Sequence, residues 1–449
     1  MAAVPARLAI VAFAVAVVLV PAGAAGRAQT RPTCSVDEQL PAPPTALPRY
    51  VLNVRVHVGL GEINGSLSVR FTPERATDRV VFRLWANSPY LVRKGARLTV
   101  ANVSLNRGET GVRRPNPTTL VVDRSLSAGE TVLVSMTYNL RLPSDAFDRL
   151  HGGSVARLGS FFPLLAWNRN EGWQTDPPSA IGWETWTSPA ADFVVKVTAP
   201  PGFEVLASGE QVGRGRWRAH AVRDFALAVG RFTVVRGTAA APGPVRLIVG
   251  VERRLRPSAR RFLAWARSAL EAHARRFGPY PWKTLSIVGT ASGRGAWEYP
   301  TLVFVSTTDS PREGTAHEIA HQWFYSLVGN NQARDPWLDE TLAKWGDTRF
   351  TNTLAKVLAI SIPEPVRGQL GRPMSFWDEF DIPFFIDGAY HQGVQALASL
   401  GEPETVDCAL RLYALENAYT TASPPDLLRA LEAYFPDARQ KLEAYGARF

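Results

Sequence analysis

From Tyr50 to about Val235 apolar residues recur at every second position, which restricts this half of the chain to β-structure. Tyr50-Val51-Leu52-Asn53-Val54-Arg55-Val56 and Leu67-Ser68-Val69-Arg70-Phe71 are examples. Gly, Pro and Asn separate the runs and no long helical period intervenes, so a β-sandwich-like domain is expected over residues 47–238. The breaker Ala239-Ala240-Ala241-Pro242-Gly243-Pro244 is expected to mark its end. Beyond it the texture changes. Arg256 to Phe277 predicts an amphipathic helix with Phe262, Ala266, Leu270 and His273 on related faces. Leu285 to Val288 predicts a strand, Tyr299 to Ser306 an edge strand near a cleft, and helices fill the rest of a second domain, 245–449. β elements followed by helices define an α+β multidomain chain.

A length of 449 residues leaves room for two or three domains with ample core. The formal charge of +10 comes mostly from arginines dispersed as Arg113-Arg114, Arg253-Arg254 and Arg260-Arg261. Neither a basic helix nor a stacking-aromatic motif accompanies them, which argues against nucleic acid as a partner. Such a surface allows at most weak electrostatic contact with anionic cell-envelope polymers. At the N-terminus Arg7 precedes an apolar run from Leu8 to Val20, followed by Pro21 and the small-residue triplets Ala22-Gly23-Ala24 and Gly26-Arg27-Ala28. The pattern predicts a cleaved signal peptide, 1–28, and a secreted or extracytoplasmic product; an uncleaved anchor is the alternative. A Pro-, Ala- and Thr-rich linker, 29–46, follows. The two cysteines, Cys34 and Cys408, can pair in an exported chain, but a tail Cys34 and a small buried Cys408 are the favoured expectation.

The chemistry is concentrated in His317-Glu318-Ile319-Ala320-His321. At about 100° per residue on a helix, two histidines four positions apart share one face and can bind one metal ion. Glu318 falls beside that ion, where a general base must stand to take a proton from a metal-bound water. Two imidazoles and one carboxylate with an open fourth position suit zinc, and Glu340 is the candidate third ligand, from the start of a following helix.

These residues resemble the aminopeptidase N family of gluzincin metallopeptidases, which carries HExxH, eighteen residues and Glu, the spacing seen from His321 to Glu340. Val328-Gly329-Asn330-Asn331-Gln332 and Pro336-Trp337-Leu338-Asp339-Glu340 resemble the family's strings in that interval, with Thr341 departing from its usual Gly. Gly295-Ala296-Trp297-Glu298-Tyr299-Pro300 resembles the exopeptidase motif, with Trp297 in place of Met, and Tyr390-His391-Gln392-Gly393 resembles Tyr-x-x-Gly.

The resemblance implies a saddle-shaped β domain walling one side of the cleft and a thermolysin-like catalytic domain with one zinc per chain. It also implies that the chain removes N-terminal residues from peptide substrates. Glu298 is then expected to hold the substrate's α-ammonium, with Gly295 and Ala296 admitting its backbone. Tyr390 is expected to donate to the oxyanion. Asp347, seven residues after Glu340, is expected to orient a ligating histidine. With the chain ending at Phe449, the C-terminal helical domain of longer members is expected to be missing and the cleft more open. A zinc endopeptidase or other zinc hydrolase on the same scaffold, and a non-catalytic peptide-binding protein, are the alternatives. Tolerance of N-blocked peptides would separate an endopeptidase from an aminopeptidase.

Overall fold

The computed structural model describes residues 34, 39–57, 59–144, 149–291 and 295–449. The expected signal peptide, 1–28, and half of the linker, 29–33 and 35–38, lie outside the described residues; 39–48 carry no helix or strand. Among the described residues no helix is long and apolar enough to cross a membrane. Cys34 and Cys408 are both disulfide-bonded, which corrects the expectation that they stay unpaired, while Cys408 is buried as expected. Residue spacing carries no information on which thiols become neighbours.

The alternating half of the chain folds as expected into β-structure. An eight-stranded sheet runs in the order Glu210–Gly213, Arg216–Val222, Ala191–Thr198, Arg49–Val56, Glu62–Phe71, Val132–Arg141, Arg97–Leu105, Gly108–Glu109. Its neighbours are antiparallel except Arg49–Val56 beside Ala191–Thr198. Burial alternates strictly along Arg49–Val56, so one face meets water while Tyr50, Leu52, Val54 and Val56 join the core. Two four-stranded sheets and a two-stranded one, Trp167–Asn168 with Gly172–Trp173, complete this half, and Tyr50 stacks on Phe193 across the parallel pair at 4.6 Å.

A five-stranded sheet follows, ordered Phe232–Ala240, Pro244–Glu252, Thr284–Thr290, Leu302–Ser306, Ala296–Tyr299. Ala239–Pro244 is the turn joining its first two strands, which pair along their whole length. The expected edge strand at Tyr299–Ser306 is corrected: Leu302–Ser306 is internal, paired on both sides, and the edge is Ala296–Tyr299. The reason is the reversal at Pro300–Thr301, with Thr301 at φ 62°, which folds the two segments into a hairpin. Thr284–Thr290 is buried on both faces. Leu285 and Ile287 pack with Phe262 and Ala266 of the helix Ala259–Phe277 and with Ile319. Val288 packs oppositely, with Val155, Leu206 and Ala228 of the β-rich half. On the edge strand Trp297 and Tyr299 belong to that second cluster, so by the two-residue period Ala296 and Glu298 face the helices. This placement brings Glu298 to the metal-binding motif.

Candidate metal centre

The helix Pro311–Ala320 begins on a proline at its first position, where no amide donor is needed, with Glu313 in its first turn. It ends at Ala320. Trp323, Phe324, Leu327 and Val328 are buried in the irregular segment beyond, where Tyr325 has φ 119°. His321 keeps a helical backbone, and its amide donates to the His317 carbonyl at 3.2 Å. The four-residue spacing therefore still stacks the two imidazoles on one side. Glu340 enters from the first turn of Trp337–Thr351.

The two Nε2 atoms lie 3.2 Å apart, and each lies 3.4 Å from Oε2 of Glu340. Ligands about 2.0–2.1 Å from a tetrahedral zinc are about 3.3–3.4 Å from one another, so the triangle fits one face of such an ion. Both Nδ1 atoms are already engaged: His317 with Asp347 Oδ2 at 2.9 Å, His321 with the Phe324 carbonyl at 3.0 Å. Each ring is thereby held with its Nε2 lone pair toward Glu340. Three converging lone pairs in a buried site require a cation between them. In its absence protons take that part. Burial opposes charge on His317, but Asp347 and Glu340 outweigh it and raise its pKa to about 9. His321 is likewise raised against burial, by Glu298 and Glu340. Burial would raise Glu340, yet its bonds to both imidazoles hold it well below the carboxylate range.

Asp347, 1% exposed, sits where the sequence placed it, and Lys344 Nζ holds its other oxygen at 3.2 Å while donating to Glu313 at 2.8 Å. Glu318 is buried with Oε2 unpartnered, and burial lifts its pKa to about 7 against the pull of both histidines. Oxygens of Glu318 and Glu298 and a nitrogen of His321 all lie within 4.8 Å of one another. Tyr390 stacks on His317 at 5.7 Å and 13°, and burial, with Glu340 nearby, raises the pKa of its phenol. Gly295, at φ 101°, accepts the Ser306 amide and leads into the edge strand at Ala296.

Sequence reasoning missed one acidic residue here. Glu184, from an irregular segment of the β-rich half, lies beside Glu298, and each carboxyl group feels the other. Burial raises both, with Arg149 opposing the rise at Glu184 through a direct ion pair. Gln332 Nε2 bridges Glu184 and Asp339 at 2.6 and 2.7 Å. Gln332 closes the Val328–Gln332 string, which was the available signal; Trp183-Glu184-Thr185 carries no pattern that marks it.

The fold and this donor set define a metal-dependent hydrolase. Residues 266–375 match the Peptidase family M1 domain. The matched segment carries His317, Glu318, His321 and Glu340. It is similar to the crystal structure of the M1 zinc metallopeptidase from Deinococcus radiodurans, at TM-score 0.67 and 18% identity, over 89% of this chain and 94% of that one. A two domain M1 zinc metallopeptidase mutant bound to L-arginine matches at TM-score 0.67 and 18% identity, over 90% and 94%. A Deinococcus radiodurans mutant bound to a Tyr-Ser-Ala substrate matches at TM-score 0.63 and 19% identity, over 90% and 94%. At these identities the likeness concerns the fold, a β-rich half followed by a helical one.

Proposed function

We propose that this chain is an exported aminopeptidase that binds one zinc ion through His317, His321 and Glu340. The observation that carries the exopeptidase reading is the buried carboxyl pair Glu184–Glu298 beside Glu318. The two buried carboxyl groups lie close enough together for a peptide's α-ammonium to find an acceptor in each. Anchoring the terminus there leaves the first peptide bond next to Glu318 and the metal ligands, with the chain running along the open edge of Ala296–Tyr299. When bound, zinc lowers the pKa of a water and polarises the scissile carbonyl. Glu318 takes the water's proton and returns it to the leaving amine. Tyr390 donates its hydroxyl to the oxygen that gains charge. Relatives of the same fold bound to L-arginine and to Tyr-Ser-Ala support an amino-acid or peptide ligand. Export rests on the apolar run Leu8 to Val20 alone.

Free and N-acetylated aminoacyl reporters test the anchor. Acetylation is expected to cost about tenfold to a hundredfold in kcat/KM, the worth of one charge-assisted contact. Glu298→Ala should erase that discrimination with zinc content unchanged. Equal rates on both reporters in the wild-type enzyme would replace this reading with an endopeptidase.

A further inference from the structure

The helix Gln392–Leu400 is preceded by a π-helical turn, Ile386–His391, that carries Tyr390 near its end. A π turn displaces the hydrogen-bond ladder, and the carbonyls of Gly388 and Ala389 receive side-chain donors. Gln392 Nε2 donates to Gly388 at 3.0 Å. The Thr341 hydroxyl donates to Ala389 at 2.6 Å. Thr341 is fully buried and directly follows Glu340 on the other helix.

The space for it is matched. A Cβ built on Gly393 would lie 2.0 Å from Thr341 Oγ1 and 2.5 Å from its Cγ2. Thr341 therefore fits only against a glycine, and the two helices close on each other through this pair. The result is a polar tie, one residue from Glu340 and one residue from Tyr390.

We propose that Thr341 is a positioning residue for Tyr390: its hydroxyl fixes the π turn to the Glu340 helix and so sets where the phenol stands beside the metal ligands. The catalytic consequence rests on the reading of Tyr390 as donor to the developing oxyanion. A phenol that acts in the transition state is sensitive to small displacement, so loosening the tie lowers kcat more than it raises KM.

Thr341→Val keeps the shape and removes the donor; Thr341→Ser keeps the donor. In the zinc-loaded full chain, Thr341→Val should lower kcat by about threefold to tenfold, the worth of one buried hydrogen bond, with KM and zinc content little changed. Thr341→Ser should restore most of the loss. In a Tyr390→Phe background Thr341→Val should cost nothing more, a non-additivity that simple destabilisation does not produce. With 3-fluorotyrosine at position 390, the ¹⁹F resonance should move in Thr341→Val and not in Thr341→Ser. An unmoved resonance in Thr341→Val, or equal kcat for the Val and Ser variants, overturns the proposal, as does a full additional loss in the Tyr390→Phe background. Wild-type kcat in Tyr390→Phe alone would instead sink the donor role of Tyr390, and the fluorine shift would still decide whether Thr341 positions it.

Discussion

His317 and Glu318 are neighbours in sequence, yet their surroundings assign them opposite tasks. His317 is held between Asp347 and the metal face, its second nitrogen committed, while Glu318 presents a buried, unpartnered oxygen. A pKa raised by burial to about 7 makes that oxygen a competent proton acceptor near neutrality. Glu318→Gln is isosteric and touches none of the three ligands. It should retain zinc by elemental analysis and lose about a hundredfold to ten-thousandfold in kcat, the usual worth of a general base. A zinc-loaded Gln variant turning over at the wild-type rate would mean that the water is activated by another group.

Among elements, the edge strand Ala296–Tyr299 is held from both sides. Glu298 faces the HExxH helix, while Tyr299 is wedged into the β-rich half against Gly159. A Cβ on Gly159 would lie 2.1 Å from the Tyr299 hydroxyl and 2.2 Å from its ring, a clash that only a shift of the strand or of the loop relieves. Gly159→Ala should therefore cost about 1–3 kcal/mol of stability, as overpacking does, and raise KM because Glu298 moves with the strand. Denaturant unfolding and steady-state kinetics on the same preparation read both effects. An alanine variant with unchanged KM and midpoint would show that the strand is not braced there.

On the scale of the whole molecule, the metal centre links pH to stability. In zinc-stripped protein His317 has its pKa raised from 6.5 to about 9, so its contribution is complete below 6.5 and is lost as pH rises through about 9. Glu318, raised from 4.5 to about 7, acts in the same direction, since the folded state holds its proton more tightly than the unfolded chain. The Tm of chelated protein should fall between about pH 6.5 and 9. Zinc competes for the same nitrogens, so the gain in Tm on adding zinc should grow over that interval. A chelated protein whose Tm is flat across it would contradict the convergence of these side chains.

The sequence by itself determined the β-rich half, the helix bearing His317 and the spacing to Glu340, because each is encoded by residues close in the chain: a two-residue alternation, a four-residue spacing on a helix, a short string before a ligand. Glu298, Tyr390 and Asp347 were legible only through resemblance, since no local period distinguishes a packed tyrosine or a helical aspartate from a functional one. Only the tertiary structure decided the rest. Glu184 meets Glu298 because the β-rich half closes over the helical half, and Thr341 reaches the carbonyl before Tyr390 because two helices meet at Gly393. The hairpin that turns Ala296–Tyr299 into the edge strand is likewise a matter of pairing. The Glu184 and Thr341 contacts join residues dozens to more than a hundred positions apart, and their geometry depends on packing rather than on any property a single segment carries.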